Sequence, residues 1–134
     1  MIPDLQFSLL CDDVRQEKNG KFILIGLFDV ITAKQFPLAF PRMCVVSRWC
    51  GGEGTFQQVT RLLQPDQTTV LAHGQTIPVR LQNVEATATN IEVFINTQFK
   101  EPGTCWVEIL LEGDLKLRYP LRIVQLEAAQ PQAS

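Results

Sequence analysis

The sequence predicts an all-β fold, an antiparallel β-sandwich of two sheets with seven to nine strands. Val, Ile and Thr number thirty against eight Ala, a composition that favours strands over helices. No stretch sustains the i, i+3, i+4, i+7 spacing of an amphipathic helix. Eight Gly and eight Pro divide the chain into short runs at similar intervals, which is typical of sandwiches and barrels.

Length and charge narrow the class of protein further. The 134 residues have the usual size of one domain, which we expect to span residues 1–126. Residues 127–134 carry no apolar pattern, and we expect this C-terminal tail to be disordered. Twelve Lys and Arg against fourteen Asp and Glu give a net charge of −2, without the basic excess of a nucleic-acid-binding protein. We therefore expect no nucleic-acid partner.

The N-terminus and the cysteines predict the compartment. The first residues lack the basic region and cleavage site of a signal peptide, and no apolar run approaches the roughly eighteen residues of a membrane span. Four cysteines could form two disulfides, but a domain of this size does not need them. We expect free thiols, a cytoplasmic location and no membrane partner.

Turn residues set the boundaries of the predicted strands. Pro78 and Pro120 each remove a backbone N–H donor, so their strands are expected to lie at a sheet edge or to carry a bulge. The predicted strands cover about residues 4–11, 21–31, 42–50, 55–63, 68–72, 76–84, 89–99, 104–112 and 114–125.

The N-terminal hairpin has two local signals. Asn19-Gly20 predicts a type I′ turn between the first two strands. Apolar residues alternate along the first strand up to Cys11, but the next apolar residue is Val14. Because strand side chains alternate between faces, one extra residue must be absorbed, and we predict a β-bulge at Asp12-Asp13.

The segment Phe36–Pro41 predicts a crossover between the sheets. Each of its two phenylalanines precedes a proline, which favours extended backbone. The two aromatic rings are expected to anchor this connection in the core.

A C-terminal hairpin is the clearest element of the sequence. Apolar residues alternate on both sides of Glu112-Gly113-Asp114, which predicts a three-residue loop. This register pairs Leu111 with Leu115 and places Glu108 opposite Arg118 on the outer surface.

An acidic cluster beside the first strand is the main candidate site. Asp12, Asp13 and Arg15 could bind a cation or a small polar ligand. The alternative is a turn or bulge with an ion pair, which we favour because consecutive strand residues point to opposite faces.

Motifs for catalysis and cofactors are missing from the sequence. The four cysteines and His73 lack the Cys-x-x-Cys spacing of a zinc site, so we expect no metal and no cofactor. No hydrolase signature accompanies His73, the only histidine, and we predict no catalytic residue. The Gly-rich segment Cys50–Gly54 lacks the Lys-Ser/Thr ending of a phosphate-binding loop.

Several motifs in the first half of the chain stand at distinctive spacings. They are Leu10–Arg15, Gly20-Lys21 and Leu24–Ile31, followed by Phe36-Pro37, Pro41-Arg42 and Trp49. Together they resemble a family of small uncharacterised bacterial proteins, a domain of unknown function. The resemblance implies a β-sandwich, but it implies no activity and transfers no functional residue. It directs attention to the surface around Asp12–Arg15 and to Asp29 on the next strand.

We expect an immunoglobulin-like architecture without the Cys-Trp-Cys pin of a true immunoglobulin domain, in which a disulfide packs against a tryptophan. Trp49 follows Cys44 by only five residues, which is too close for the strand B cysteine and strand C tryptophan. Cys105 has Gly103 two residues before it, where that domain has tyrosine.

These observations predict a non-catalytic protein-interaction or assembly module, which binds a protein partner or a second copy of itself. The alternative is a small-ligand or metal-binding protein that uses Asp12, Asp13 and Arg15, together with Asp29. A third hypothesis, that the protein is an enzyme, is supported only by the general availability of carboxylates.

Overall fold

The computed structural model describes residues 1–127, within which the chain forms ten strands and no helix. The all-β prediction is therefore confirmed, but the prediction of seven to nine strands is wrong, because the predicted strand over residues 21–31 is divided into two. No helix in this part of the chain is long and apolar enough to cross a membrane. The strands are β1 (Asp4–Gln16), β2 (Phe22–Phe28), β3 (Val30–Ala33), β4 (Leu38–Cys50), β5 (Gly54–Leu63), β6 (Val70–His73), β7 (Ile77–Leu81), β8 (Thr87–Phe99), β9 (Gly103–Leu111) and β10 (Asp114–Gln125).

The strands form two sheets. The four-stranded sheet has the order β2-β1-β4-β8, and the six-stranded sheet has the order β3-β10-β9-β5-β6, with β7 also paired to β5. Neighbouring strands are antiparallel except that β3 runs parallel to β10. The prediction of a wholly antiparallel fold is wrong at this pair.

The parallel pair arises where the chain changes sheets at Asp29. The sequence predicts one strand over residues 21–31, but β2 belongs to the four-stranded sheet and β3 to the six-stranded sheet. The carbonyl of Asp29 accepts a hydrogen bond from Arg122 N–H at 3.1 Å, just before β3 pairs with β10. Both halves of the run are equally apolar, so hydrophobicity alone does not reveal the break.

One hydrophobic core lies between the two sheets. The four-stranded sheet contributes Met43, Val45 and Trp49 from β4, and the six-stranded sheet contributes Val107 and Ile109 from β9. All five side chains are buried. Burial of a side chain of this size stabilises the fold by about 1.5–3 kcal/mol.

Hydrogen bonds between side chains also join the two sheets. Gln58 Oε1, from β5, accepts from Trp49 Nε1 and from Asn90 Nδ2, both at 2.8 Å. The hydroxyls of Ser8 and Tyr119 are hydrogen-bonded at 2.9 Å, and burial raises the pKa of Tyr119 to about 12. Because each bond joins one sheet to the other, the network restricts how the sheets slide past one another.

A fully buried carboxylate lies on the outer face of the six-stranded sheet. Glu108 Oε1 accepts from Arg61 Nε at 2.6 Å, and Glu108 Oε2 accepts from Arg118 Nε at 2.8 Å. Burial by itself would raise the pKa of Glu108, but the two arginines lower it below its ordinary value. The predicted pair of Glu108 and Arg118 is confirmed in register, and Arg61 is an additional partner.

The N-terminal hairpin differs from its prediction in two respects. Of its turn residues only Gly20 has a positive φ, +88°, and its N–H donates to the Glu17 carbonyl, so the type I′ prediction is wrong. A three-residue loop that ends in a left-handed glycine replaces it. The register of β1 and β2 also runs without an extra residue through Asp12-Asp13, and the register shift lies instead between Leu5 and Phe7.

The C-terminal hairpin has a shorter loop than predicted. Glu112 and Gly113 have φ values of +51° and +80°, so the loop has two residues, and Asp114 pairs with Leu111. An irregularity between Leu115 and Leu117 then restores the predicted register over the rest of the hairpin. The predicted pairing of Leu111 with Leu115 is wrong for this reason.

The other local predictions agree with the fold, except in the length of the crossover. The chain crosses from β3 to β4 through residues 34–37, so the predicted crossover is shorter than expected, because β4 already begins at Leu38. Phe36 and Phe40 pack against the core, as predicted. Pro78 lies in β7, which pairs only with β5. Pro120 lies in β10 before the pairing with β3 begins at Arg122. All but the first residue of the predicted disordered tail lies outside the described residues.

We expect Glu108→Ala to lower the free energy of unfolding by about 1.5–3 kcal/mol at pH 7, because two partly exposed arginines lose a buried, hydrogen-bonded partner. The pKa of Glu108 is lowered in the folded protein, so its stabilising contribution is present above its unfolded pKa and is lost as pH falls. Urea denaturation at several pH values measures both effects. The exposed Glu101→Ala variant is the control, and equal stability of the two variants would contradict the role of Glu108.

Candidate functional site

A hairpin arm, defined as residues 13–25, covers part of the outer face of the four-stranded sheet. Val14 and Leu24 from the arm pack against Cys11, Cys44 and Val46, which are buried. These three residues lie on the face of the sheet that points away from the shared core. The arm therefore acts as a partial third layer.

The path of β1 shows that the arm folds back over the sheet. Pairing of β1 with β4 ends at Cys11 and Cys44, whereas Arg48 lies further back along the ladder, opposite Phe7. A straight arm would carry its tip away from Arg48. Phe22, near the tip, nevertheless lines a groove together with Arg48 and Phe7.

The bend occurs where Asp12 lies opposite Gly26. Gly26 has a φ of +71°, and the Asp12 side chain occupies the space that a Cβ on Gly26 would need. Cys11 and Val14 pack in the same cluster although three positions separate them. The predicted change of parity is therefore present, and the backbone conformation absorbs it without an inserted residue.

The predicted site residue Asp13 forms an ion pair at the base of the arm. Arg42 Nη1 donates to Asp13 Oδ1 at 2.8 Å and to the Asp12 carbonyl at 3.1 Å. Arg15 Nε lies 3.8 Å from Asp13 Oδ2. The hydrogen bond from Arg42 and the backbone N–H of Val14 lower the pKa of Asp13. The ion pair attaches the arm to β4.

The four predicted site residues do not form one cluster. Asp13 and Arg15 are together with Arg42, while the Asp12 side chain lies over Gly26. Asp29 is exposed between β2 and β3. Within residues 1–127, no group of three or more His, Cys, Asp or Glu side chains could hold a metal ion.

The other edge of the four-stranded sheet carries a second candidate surface. β8 pairs with β4 along one edge, and no other described strand pairs with it. Two open grooves of about 450 and 550 Å³ run beside β8 and are bordered by β6, β7 and their connection. Val93 and Ile95 are 42% and 60% exposed. This edge combines free backbone with apolar side chains.

Glu92 connects β8 to the opposite sheet. Its Oε2 accepts from Gln75 N–H at 3.0 Å, and its buried Oε1 has no hydrogen-bond partner in the described part of the chain. Burial raises the pKa of Glu92, an effect that the backbone N–H of Gln75 and nearby His73 oppose. A Cβ on Gly74 would collide with this carboxyl group, so glycine permits its approach.

Comparison with known proteins identifies the family. The profile of a family of unknown function, DUF6941, matches residues 6–124. The chain belongs to the DUF6941 family. No curated protein matches the sequence.

The match covers nearly all of the secondary structure of this DUF6941 protein. It begins within β1 and ends within β10, so it includes the hairpin arm, Arg42 and β8. The resemblance to a domain of unknown function is therefore confirmed. The family description assigns no role to any residue, and the functional argument depends on the geometry of the site.

Sequence reasoning missed two residues that organise these surfaces. Arg42 lies 29 positions after Asp13, and only the register of β1 with β4 brings them together. The sequence feature that could have identified Arg42 is the Pro41-Arg42 motif, which is part of the family resemblance. Glu92 is the single charged residue of β8 and lies between Ile91 and Val93, and such a position indicates a specific partner because a buried carboxylate needs one.

We expect Gly26→Ala to destabilise the arm by about 1 kcal/mol or more, because alanine disfavours a positive φ and its Cβ meets Asp12. Gly20→Ala is the matched control, since Gly20 also has a positive φ but no atom lies near its Cβ position. Urea denaturation of these variants and of Asp12→Ala/Gly26→Ala measures the contact. If Asp12→Ala fails to reduce the cost of Gly26→Ala, Asp12 does not restrict this position.

We expect Glu92→Gln to remove part of the pH dependence of stability. The folded pKa of Glu92 is raised above its ordinary value of 4.5, so the wild-type protein loses stability as pH rises from the unfolded pKa through the folded pKa. The glutamine variant lacks this loss. Thermal unfolding between about pH 4 and 7 measures the difference, and parallel curves for the two proteins would be the contrary result.

Proposed function

We propose that this DUF6941 protein is a non-catalytic assembly module that associates with a second copy of itself. In the proposed contact, β8 of one copy pairs with β8 of the other in antiparallel orientation. The observation that carries the proposal is a long edge strand whose sequence is nearly symmetric about its centre. Two such strands are related by a two-fold axis, the commonest symmetry of homodimers.

The edge of β8 lacks most of the devices that usually prevent strand pairing, and its one inward-pointing charged residue, Glu92, is hydrogen-bonded to Gln75 N–H. Thr87–Phe99 contains no Pro and no Lys, and Glu92 is its single charged residue. Prolines, lysines and short length normally protect exposed edges from other strands. β7, at an edge of the other sheet, carries both Pro78 and Arg80. The contrast supports a use for the free edge of β8.

The sequence of β8 supports identical strands as partners. Thr89–Thr97 reads Thr-Asn-Ile-Glu-Val-Phe-Ile-Asn-Thr, the same in both directions apart from Glu92 and Phe94. Antiparallel self-pairing centred on Val93 places Val93 opposite itself and Ile91 opposite Ile95. Like pairs of β-branched residues are favourable cross-strand neighbours. The left-handed φ of +51° at Asn96 limits the regular pairing to the centre of the strand.

Self-pairing also brings the exposed apolar side chains of β8 together as cross-strand neighbours. Val93 and Ile95 lie on the outer face of the four-stranded sheet, beyond the hairpin arm. In the pair, these residues and Ile91 from both copies would form one continuous apolar strip. The two four-stranded sheets would become one sheet of eight strands.

We expect Val93→Lys to weaken self-association at least about tenfold, because two lysines would face each other at the two-fold axis. Val93 is 42% exposed, so the fold tolerates the change. Val84→Lys, at a valine that is 50% exposed in the β7–β8 loop, is the matched control. Sedimentation equilibrium gives the dissociation constant of each variant. A wild-type protein that stays monomeric at all concentrations would overturn the proposal.

We further expect Val93→Cys to form an intermolecular disulfide under mild oxidation. A residue directly opposite itself in an antiparallel pair has its Cα about 4.5–5.5 Å from its copy, within the range of a disulfide. Ile23→Cys is the control on the other edge strand, β2, where the side chain is 43% exposed. Non-reducing electrophoresis should detect the dimer for Val93→Cys alone, and equal cross-linking of both variants would argue for random collision.

The ligand-binding hypothesis for Asp12, Asp13, Arg15 and Asp29 remains a prediction. It expects ligand-induced stabilisation that Asp13→Asn abolishes, as a thermal-shift screen with divalent metals and metabolites would measure. The engagement of Asp13 by Arg42 favours the structural alternative. We therefore rank assembly above this function.

Three further expectations belong to the proposal. We propose that the two-sheet fold is an immunoglobulin-like sandwich in which Trp49 bonds to Gln58 in place of the pin. We also propose a bacterial protein in the cytoplasm, an expectation that four free cysteines support. The net charge of −2 supports the absence of a nucleic-acid partner.

A further inference from the structure

A groove lies between the hairpin arm and the outer face of the four-stranded sheet. Its inner part encloses about 340 Å³ beside Phe7 and Val46, and its outer part encloses about 410 Å³ beside the arm's turn. Both parts share Lys21, Phe22 and Arg48 as walls. The two parts are therefore adjacent, and the inner volume is in the range of small-molecule sites.

The two parts of the groove differ in chemistry. Phe7, Phe22, Leu24 and Val46 make the inner part apolar. Cationic groups come from Lys21 on the arm and from Arg48 on β4, and none of the residues that line the groove is acidic. A cationic groove is unexpected in a chain with a net charge of −2.

Arg48 is held in place without an acidic partner. Its Nε donates to Thr89 Oγ1 at 2.8 Å, and its guanidinium lies 5.6 Å from the centre of the Phe7 ring. No carboxylate within residues 1–127 forms a salt bridge with it. Arg61 and Arg118, by contrast, are both paired with a carboxylate. The terminal nitrogens of Arg48 are thus oriented and free of an ionic partner.

We propose that this groove binds a small organic carboxylate with an aromatic or aliphatic body. The body packs between Phe7 and Phe22, and the carboxylate accepts hydrogen bonds from Arg48 and Lys21. Arginine presents parallel N–H donors that match a carboxylate, and charge-assisted bonds of this kind are stronger than neutral ones. The site differs from the acidic cluster at the base of the arm and from the β8 edge.

Three naphthalene compounds test the proposal, because they share one body and differ in charge. They are 2-naphthoate, neutral 2-naphthamide and cationic 2-naphthylmethylammonium. Isothermal titration of the full chain should give saturable binding of the carboxylate, with an affinity at least about tenfold above that of the other two. Equal affinity for all three compounds, or no saturable binding of the carboxylate, would overturn the proposal.

Variants assign the binding to the groove. Arg48→Gln should weaken 2-naphthoate at least about tenfold and leave 2-naphthamide unchanged, and Lys21→Gln should act in the same direction. Arg80→Gln, an exposed arginine on β7, is the control and should have no effect. Val93→Lys should also bind normally, which separates this site from self-association. If Arg48→Gln and Lys21→Gln both bind 2-naphthoate like the wild type, the groove is not its site.

Discussion

Burial of β4 on both of its faces is the constraint on which the rest of the fold depends. Met43–Ser47 are five consecutive buried residues. Because strand side chains alternate, such a run needs cover on both sides of the sheet. The six-stranded sheet covers Met43 and Val45, while the hairpin arm covers Cys44 and Val46.

The six-stranded sheet and the hairpin arm, which cover the two faces of β4, are held in place by different interactions. The six-stranded sheet shares a large apolar core with β4, and the Trp49–Gln58 and Ser8–Tyr119 hydrogen bonds fix its position. The arm has only a small apolar cluster, so the ion pair of Asp13 with Arg42 and the bend at Gly26 hold it in place. Since the arm does not cover the whole outer face, it leaves the cationic groove beneath it and the apolar side chains of β8 beside it.

The sequence predicts those parts of the fold that depend on local alternation. Strand composition, the pairing of Val107 with Tyr119 in the C-terminal hairpin and the packing of Phe36 and Phe40 against the core all follow from neighbouring residues. Turn types are harder to predict from the sequence, because Asn19-Gly20 is compatible with several loop conformations. In the structure only Gly20 of this pair adopts a positive φ. The sequence predicts Asp29 inside a strand, because nothing local distinguishes a change of sheet from continued pairing.

The candidate surfaces depend on contacts between distant residues and were less predictable. The sequence marked Asp12 and Asp13, but their partners Gly26 and Arg42 are set by the pairing of three strands. The groove requires the arm to fold back, which no periodicity encodes. The symmetry of Thr89–Thr97 is visible in the sequence, yet it acquires meaning only because β8 lies at an edge.

Amide hydrogen exchange along β8 at low and high protein concentration tests the assembly account most directly. In a strand paired on one side, alternate N–H groups point to the free edge and exchange with solvent. The account predicts that these amides near Val93 become protected as concentration rises, while the N–H groups of β2 at the opposite edge do not change. Exchange of the β8 amides that is independent of concentration would contradict it.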